Sequence, residues 1–408
     1  MLPIPRGIVY HSISYELKCL FLSFFSSFSE KKIINKFESK FAKYNGSKFC
    51  IAFPYARTAI FYSLKYKNLS KGSEVIMPPI SIKGILDVVL ELGLVPIFVD
   101  IDPKNLCFEE SSLKKKINKN TKAIIITYLY GIVPNLEKII KISKKNNLFI
   151  IEDFSHNLYS QYKNKKVGTF GNVGVYSSSS IKTLDTFGGG LAITDDENIY
   201  KYFDEVVKSF ETPSRFIVVK KILINLFRNL ATNRVLFFLF TFPIIKILKK
   251  LYPNDILKYS GTREVSPVKS LAPEMFYAYT SFQAKVGLNL LKSVFKKDKI
   301  RIDNVNYIKS QLKNIDFPEG DISGNNVYWQ FVFFPKDASK AQDHMHKNKI
   351  DTATSSLVNL SSLKNYGYEN ICPKAQYIYT TGLFIPSYHS LKKKELKNIA
   401  NILNAISN

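Results

Sequence analysis

The sequence predicts an α/β protein with one large, mostly parallel sheet and a smaller C-terminal α+β domain. Between residues 30 and 205, apolar runs rich in β-branched residues alternate with segments of helical period. Continuous apolar strands separated by helices are typical of parallel sheets, because helices cover both faces of such a sheet. After residue 300, two polar helical segments bracket the strand-like run NVYWQFVFFP, which predicts a second, smaller unit.

Six apolar runs mark the predicted strands of the large sheet: EVIMPPI, VPIFVDID, KAIIITYLYG, LFIIEDF, NVGVYSSSS and GLAITDD. Helical segments such as residues 135–145 lie between them. We assign residues 1–300 to the large domain and residues 301–408 to the small one. Near the N-terminus, the apolar patch CLFLSFFSSF follows Glu16 and Lys18, which predicts an amphipathic helix and not a signal peptide.

Residues 212–254 interrupt the α/β pattern with strongly apolar sequence that contains Lys and Arg but no acidic residue. The longest uncharged run, residues 235–245, is shorter than the roughly 20 residues that cross a bilayer. One interpretation is a pair of basic amphipathic helices that makes peripheral contact with a membrane surface. The other is a helical insertion that packs on the protein body or on a neighbouring subunit.

The net charge of +25 indicates either an anionic partner or a surface that is simply rich in lysine. No nucleic-acid-binding motif is present, so we expect no nucleic acid partner. The four cysteines are far apart and form no C-x-x-C pair, so neither a metal site nor a disulfide framework is expected. We therefore expect a cytoplasmic protein or, under the membrane interpretation, one at the inner face of the cell membrane.

One ordered set of side chains points to chemistry at the ends of the strands, where functional residues of α/β folds gather. Asp153 ends a buried strand and His156 follows it, whereas Ser177 ends the next strand and Lys182 comes shortly afterwards. A lysine that is fixed on a rigid loop and partly desolvated can attack carbonyl groups. Enzymes that use pyridoxal phosphate need such a lysine, together with a carboxylate and hydroxyl groups that bind the phosphate. Taken singly, each residue has an ordinary structural explanation, and the spacing of the set favours the cofactor.

The segment ARTAI opens a predicted helix whose first turn contains Arg57, Thr58 and Ala59. Helix N-termini bind phosphate through free backbone N–H groups and the helix dipole, so this turn is a candidate phosphate site. The triple glycine, residues 188–190, is interpreted as the turn that leads back into the sheet.

These motifs, with FESKFAKYNGSKF, LGLVPIFVDIDP and YTSFQAKVGL, resemble the DegT/DnrJ/EryC1/StrS family of pyridoxal-phosphate-dependent sugar aminotransferases, which have fold type I. The resemblance implies that Lys182 binds the cofactor covalently and then moves protons. It implies that Asp153 pairs with the ring nitrogen and that His156 lies beside the ring. It also implies that Thr58 and Ser177 hold the phosphate and that the active site forms in a homodimer.

The implied reaction moves an amino group from an amino-acid donor, by family analogy glutamate, to a keto-sugar carried on a nucleotide or a lipid. Three positions depart from the family pattern: Arg57 in place of glycine, Ile82 in place of a ring-stacking aromatic, and Phe276 in place of an asparagine from the partner subunit. These departures leave two alternatives open. One is a non-catalytic binding or regulatory protein of the same fold, and the other is an interfacial membrane protein that uses the fold as a scaffold.

Overall fold

A computed structural model describes residues 2–251, 270–313, 315, 317–354, 357–363 and 372–407. The helices are α1 (Ile13–Phe25), α2 (Lys31–Asn45), α3 (Ala56–Tyr66), α4 (Lys83–Glu91), α5 (Glu110–Lys116), α6 (Leu136–Lys145), α7 (Glu197–Lys208), α8 (Arg215–Thr232), α9 (Arg234–Leu236), α10 (Phe242–Leu251), α11 (Ser281–Leu290), α12 (Val294–Ser310), α13 (Ala338–Lys347), α14 (Pro373–Thr381) and α15 (Lys393–Ser407). The strands are β1 (Phe49–Phe53), β2 (Glu74–Met77), β3 (Ile80–Ser81), β4 (Val95–Phe98), β5 (Ile101–Asp102), β6 (Cys107–Phe108), β7 (Thr121–Thr127), β8 (Phe149–Asp153), β9 (Gln161–Tyr162), β10 (Lys165–Lys166), β11 (Val173–Ser177), β12 (Gly190–Thr194), β13 (Phe331–Phe333), β14 (Val358–Asn359) and β15 (Leu383–Ile385).

The large sheet has seven strands among the described residues, in the order β1-β12-β11-β8-β7-β2-β4. All neighbouring pairs from β11 to β4 are parallel, and β12 alone runs antiparallel to its neighbours. The predicted α/β class with a mostly parallel sheet is confirmed. Each of the six apolar runs contains a strand, because helices on both faces exclude water from β-branched side chains.

The carboxyl ends of β8 and β11 place the predicted site residues at one edge of the sheet. In these parallel neighbours, Val175 lies opposite Asp153, so β11 continues two residues further to Ser177. Gly188 and Gly189 have φ values of +103° and +129°, which confirms that the triple glycine is a turn into β12.

The C-terminal part contains a two-stranded antiparallel sheet, β13 with β15, covered by helices. Only residues 331–333 of the predicted strand NVYWQFVFFP are extended in this sheet. Strand β14 pairs with β3 of the large domain, and α12 runs without a break across residue 300. The domain division at that residue stays a prediction.

The insertion is helical: α8, α9, a π-helical turn at Phe237–Thr241 and α10 follow one another. Helix α8 packs against α1, the amphipathic helix predicted near the N-terminus. In the described part of the chain, no single helix is both long and apolar enough to cross a membrane. The helical stretches 215–232 and 234–251 reach the required length and hydropathy only when they are taken together, and they are bent by 61° relative to each other. Residues 252–254 of the predicted insertion lie outside the described residues.

Candidate active site

Lys182 lies in the loop between β11 and β12, and contacts on both sides fix its backbone. Its neighbour Thr183 donates a hydrogen bond to Asp298 Oδ1 on α12 (2.9 Å). On the other side, the carbonyl of Ile181 accepts a hydrogen bond from Trp329 Nε1 (3.0 Å). Ile181 has φ +68°, a left-handed conformation that β-branched residues rarely adopt, and such strain concentrates at functional sites. The lysine is therefore held on a rigid support.

The environment of Lys182 favours the neutral amine. The residue is only 8% exposed, and burial lowers the pKa of Lys182 to about 7, with Arg301 adding to the shift and Asp153 opposing it. Its Nζ lies 3.8 Å from the centre of the Trp329 ring and makes no hydrogen bond to a described residue. A large share of the amine is thus unprotonated near neutral pH and can act as a nucleophile or a base.

Two adjacent buried carboxylates end β8, and strand alternation gives them different roles. Glu152 is saturated by one hydroxyl and three backbone N–H groups, those of Tyr128, Gly168, Phe170 and Gly171. Asp153 accepts a hydrogen bond from the N–H of Ser155 (3.0 Å). Burial raises the pKa of Asp153, whereas the Ser155 hydrogen bonds and the charge of Lys182 lower it. Only Asp153 is electrostatically coupled to the lysine.

His156 and Trp329 stack face to face beside Lys182. Their ring centres are 4.0 Å apart with an interplanar angle of 4°, and the N–H of Tyr130 donates to His156 Nδ1 (3.2 Å). Burial and the charge of Lys182 hold the pKa of His156 well below its usual value, so the imidazole is neutral. Trp329 was missed by sequence reasoning, although it is the only tryptophan of the chain.

The first turn of α3 adjoins the end of the lysine loop, because Tyr55 forms a β-bridge with Gly189. The Thr58 hydroxyl donates to the Met275 carbonyl (2.9 Å), and the N–H groups of Thr58 and Ala59 donate to the Tyr55 carbonyl. The helix has no side-chain cap, so the N–H groups of its first two residues have no acceptor among the described residues. The free donors at this turn are therefore backbone groups and not the threonine hydroxyl.

Two cations flank this turn. The Arg57 guanidinium lies over the Tyr55 ring (4.4 Å from its centre), and Lys221 Nζ lies 4.9 Å from the same ring. Lys221 comes from α8 and also borders Gly188. Burial lowers the pKa of Lys221, and the charge of Arg57 adds to this effect. Together, Arg57 and Lys221 make the first turn of α3 attractive to an anion. The contribution of Lys221 was not predicted from the sequence.

Ser177 also lies near the first turn of α3, because it pairs with Gly190 at the start of β12. Its hydroxyl lies 3.0 Å from Ser179 Oγ, and its N–H donates to Ser155 Oγ (2.9 Å). The Ser177 hydroxyl is half-buried, and among the described residues its only hydrogen-bond partner is another hydroxyl, so it can still serve a ligand.

The other two departures noted in the sequence lie in different surroundings. Ile82 is 42% exposed at the start of α4, and its place beside the cofactor ring stays a prediction. Phe276 packs inside its own chain against Phe61, Tyr62 and Phe210, with ring centres 6.0–6.4 Å apart. The structure thus brings Lys182, Asp153 and His156 together, with the α3 turn and Ser177 beside them.

A cavity of about 590 Å³ adjoins the lysine loop at residues 179–181. One wall comes from residues 5–10 and another from the insertion, and Trp329 lines it on the side of Lys182. Arg301 also lines it; the Nη2 of this guanidinium binds Asp298 and Thr183, whereas its Nε and Nη1 are buried without an acceptor among the described residues. The exposed Arg228 of the insertion offers the cavity hydrogen-bond donors for an oxygen-rich ligand.

Pyridoxal 5′-phosphate requires a lysine amine, a carboxylate for its ring nitrogen, and N–H or O–H donors for its phosphate. Lys182, Asp153, the uncapped α3 turn and Ser177 supply these groups within one region, so the polar residues fit the cofactor. The indole of Trp329 contacts both His156 and Lys182. This side chain has to rotate before a cofactor ring can lie between them.

Comparisons with known proteins show which sequences and structures this chain resembles. The sequence model of the DegT/DnrJ/EryC1/StrS aminotransferase family matches residues 25–211 and 256–404. GDP-perosamine synthase of Escherichia coli O157:H7 is 35% identical over 186 residues, which are 46% of this chain and 50% of that protein. L-glutamine:2-deoxy-scyllo-inosose aminotransferase of Streptomyces kanamyceticus is 31% identical over 40% of this chain and 38% of its own length. These matches span half or less of the relatives' lengths.

Solved structures agree on the fold. The sugar aminotransferase CalS13 from Micromonospora echinospora superimposes with a TM-score of 0.74 over 99% of this chain and 100% of its own, at 15% identity. The family model leaves residues 1–24 and 212–255 unmatched, which supports the interpretation of residues 212–254 as an insertion.

Proposed function

Because the chain belongs to the DegT/DnrJ/EryC1/StrS aminotransferase family, we propose that it transfers an amino group from an amino acid to a keto-sugar with the help of pyridoxal 5′-phosphate. The observation that carries this proposal is the buried, largely neutral Lys182 beside the buried Asp153. Overall, the amino group and α-hydrogen of the donor are exchanged for the ketone oxygen of the acceptor, so no oxidant is needed.

Four groups would hold the cofactor. Lys182 would bind it covalently, Asp153 would pair with its ring nitrogen, and His156 would lie against its ring. The free N–H groups at the start of α3, with Ser177, would bind its phosphate, and Arg57 would add positive charge. Thr58 would join them only if its hydroxyl left the Met275 carbonyl. When bound, the cofactor supplies an electron sink that stabilises negative charge at the carbon that loses or gains a proton.

The residues of the chain control where the proton goes. With its amine free, Lys182 would remove the α-proton of the donor and return one to the acceptor carbon, and the pKa of about 7 that burial gives this amine in the cofactor-free chain suits the role. The buried Asp153, which already raises the pKa of Lys182 through its charge, would in the same way favour a positive charge on the ring nitrogen. The cavity beside residues 179–181 would receive the keto-sugar, whose oxygens suit the exposed guanidinium of Arg228.

We take glutamate as the first donor to test and glutamine as the second, since one relative is named for glutamine. The carrier of the sugar, nucleotide or lipid, is left open at this level. A homodimer and a location at the inner membrane face remain predictions. The alternative of a non-catalytic binding protein is less well supported, because a buried lysine with a lowered pKa destabilises a protein that does not use it.

The experiment is to add pyridoxal 5′-phosphate to purified protein, record the visible spectrum, and reduce with borohydride. We expect a yellow protein and, after reduction and digestion, one modified peptide that contains Lys182. Lys182→Met should abolish the label, whereas the matched control Lys201→Met, at an exposed lysine, should leave it unchanged. Glutamate or glutamine should then bleach the unreduced protein, and a keto-sugar should restore the colour. A protein that takes up no cofactor, or is modified equally in both variants, would exclude the proposal.

A further inference from the structure

Two helical stretches that the family model leaves almost entirely unmatched, α1 and residues 215–251, pack together, and the second of them borders the cavity beside the lysine loop. We call the two stretches the helical cap. Helix α8 packs on α1, and the wall of the cavity includes Arg228, Thr232, Phe237 and Ile245 of the cap. The cap therefore lies between the cavity next to Lys182 and the surroundings.

The helices of the cap bury both polar and apolar side chains and leave further large apolar side chains exposed. On the inner face, Asn225 Nδ2 donates to Asp185 Oδ2 in the lysine loop (2.6 Å), and Asn229 Nδ2 donates to Glu16 Oε2 (2.9 Å). On the outer face, Phe216 and Phe227 are 74% and 72% exposed. The exposed face of a surface helix in a water-soluble domain is mainly polar. Exposed apolar surface on this scale marks an interaction site for an apolar partner.

The charge of the cap discriminates between partners. Residues 212–254 contain eight Lys or Arg and no acidic residue. Among the described residues, the exposed Lys220, Arg228, Lys246 and Lys250 form no ion pair. A second copy related by a two-fold axis would place this cationic face against itself, which is unfavourable. An anionic lipid surface complements both the charge and the aromatic side chains.

We propose that the cap docks on an anionic membrane and that the acceptor is a keto-sugar carried on a long-chain lipid phosphate. This inference rests on the proposed aminotransferase function. The lipid chain would remain in the membrane beside the outer face of the cap, while the sugar would occupy the cavity between the cap and Lys182. The exposed Arg228, on the cavity wall, suits the phosphate and sugar oxygens.

The docking half is tested by co-sedimentation of the full-length protein with phosphatidylcholine vesicles, with and without phosphatidylglycerol. We expect binding that requires phosphatidylglycerol and weakens with salt. The double variant Phe227→Glu/Phe240→Glu should bind about tenfold or more weakly, because it puts charge on the exposed apolar face. The matched control Ile322→Glu changes a fully exposed side chain outside the cap and should bind like wild type.

The proposed lipid carrier is tested by the fluorescence of Trp329, which lines the cavity and is the only tryptophan of the chain. Dodecyl phosphate below its micelle concentration should change the emission at lower concentrations than dodecanol, inorganic phosphate or uridine diphosphate. A tighter response to uridine diphosphate would overturn the lipid carrier in favour of a nucleotide. Equal vesicle binding by wild type and the double variant would overturn the docking face.

Two controls separate the possible failures. Size-exclusion chromatography of wild type and the double variant tests whether a second copy covers the cap; a dimer that the double variant dissociates would overturn the membrane assignment. Cofactor uptake is measured on the same preparations. A protein that takes up pyridoxal 5′-phosphate but binds no vesicles refutes this inference alone. A protein that binds vesicles but takes up no cofactor refutes the proposed function and the acceptor with it.

Discussion

Replacing Lys182 with methionine should make the cofactor-free protein more stable, and the gain should depend on pH. Methionine has a similar length and carries no charge, so it fills the same buried site beside Trp329 without a desolvation penalty. Stability lost to a buried charge is typical of functional sites, where the residue is kept for its chemistry.

The magnitude follows from the pKa of Lys182, which burial lowers from 10.5 to about 7. Between these two values the unfolded chain binds more protons than the folded one, so stability rises with pH across this window. The penalty is complete below pH 7 and disappears above pH 10.5. Linkage gives about 5 kcal/mol at pH 6, about 3 kcal/mol at pH 8 and about 2 kcal/mol at pH 9. Lys182→Met should remove this penalty.

The assay is urea unfolding of the cofactor-free proteins at pH 6, 8 and 9, followed by far-ultraviolet circular dichroism. We expect Lys182→Met to exceed wild type at each pH, with the largest difference at pH 6. The control Lys201→Met replaces an exposed lysine and should stay within about 0.5 kcal/mol of wild type at all three values. A difference that is absent, or that does not shrink as the pH rises, would refute a buried amine with a lowered pKa.

Two further changes test other parts of the site. The variant Asp153→Asn should still bind the cofactor at Lys182, and binding should extend to lower pH because Asp153 normally raises the pKa of that lysine. Single-turnover amino transfer should nevertheless slow by about 100-fold or more. An unchanged rate would exclude the proposed role of Asp153. The variant Gly189→Ala should destabilise the protein by about 2–4 kcal/mol in thermal unfolding, because residue 189 has φ +129° and a Cβ there would overlap the Tyr279 ring. The control Gly7→Ala should unfold like wild type, because a Cβ at residue 7 would point into open space.

Much of the site could be predicted because its residues follow buried strands that are close in sequence. Asp153 and Ser177 end β8 and β11, which are parallel neighbours, and strand periodicity already places such ends at one edge of a sheet. The turn role of residues 188–190 was likewise local, since it depends on positive φ values. The phosphate contact of Thr58 could not be judged from sequence, because the acceptor of its hydroxyl, Met275, lies 217 residues away.

The sequence by itself determined the α/β class and which candidate site residues stand at the ends of strands. Both follow from apolar periodicity and β-branched composition, which are properties of a few neighbouring residues. Only the tertiary structure decided that Trp329 contacts Lys182 and that the guanidinium of Arg301 is buried beside the neighbouring cavity. It also decided that the insertion binds the lysine loop through Asn225 while Phe216 and Phe227 face outward. Such facts depend on which distant segments meet, and the apolar pattern of a helix alone does not state which face is covered.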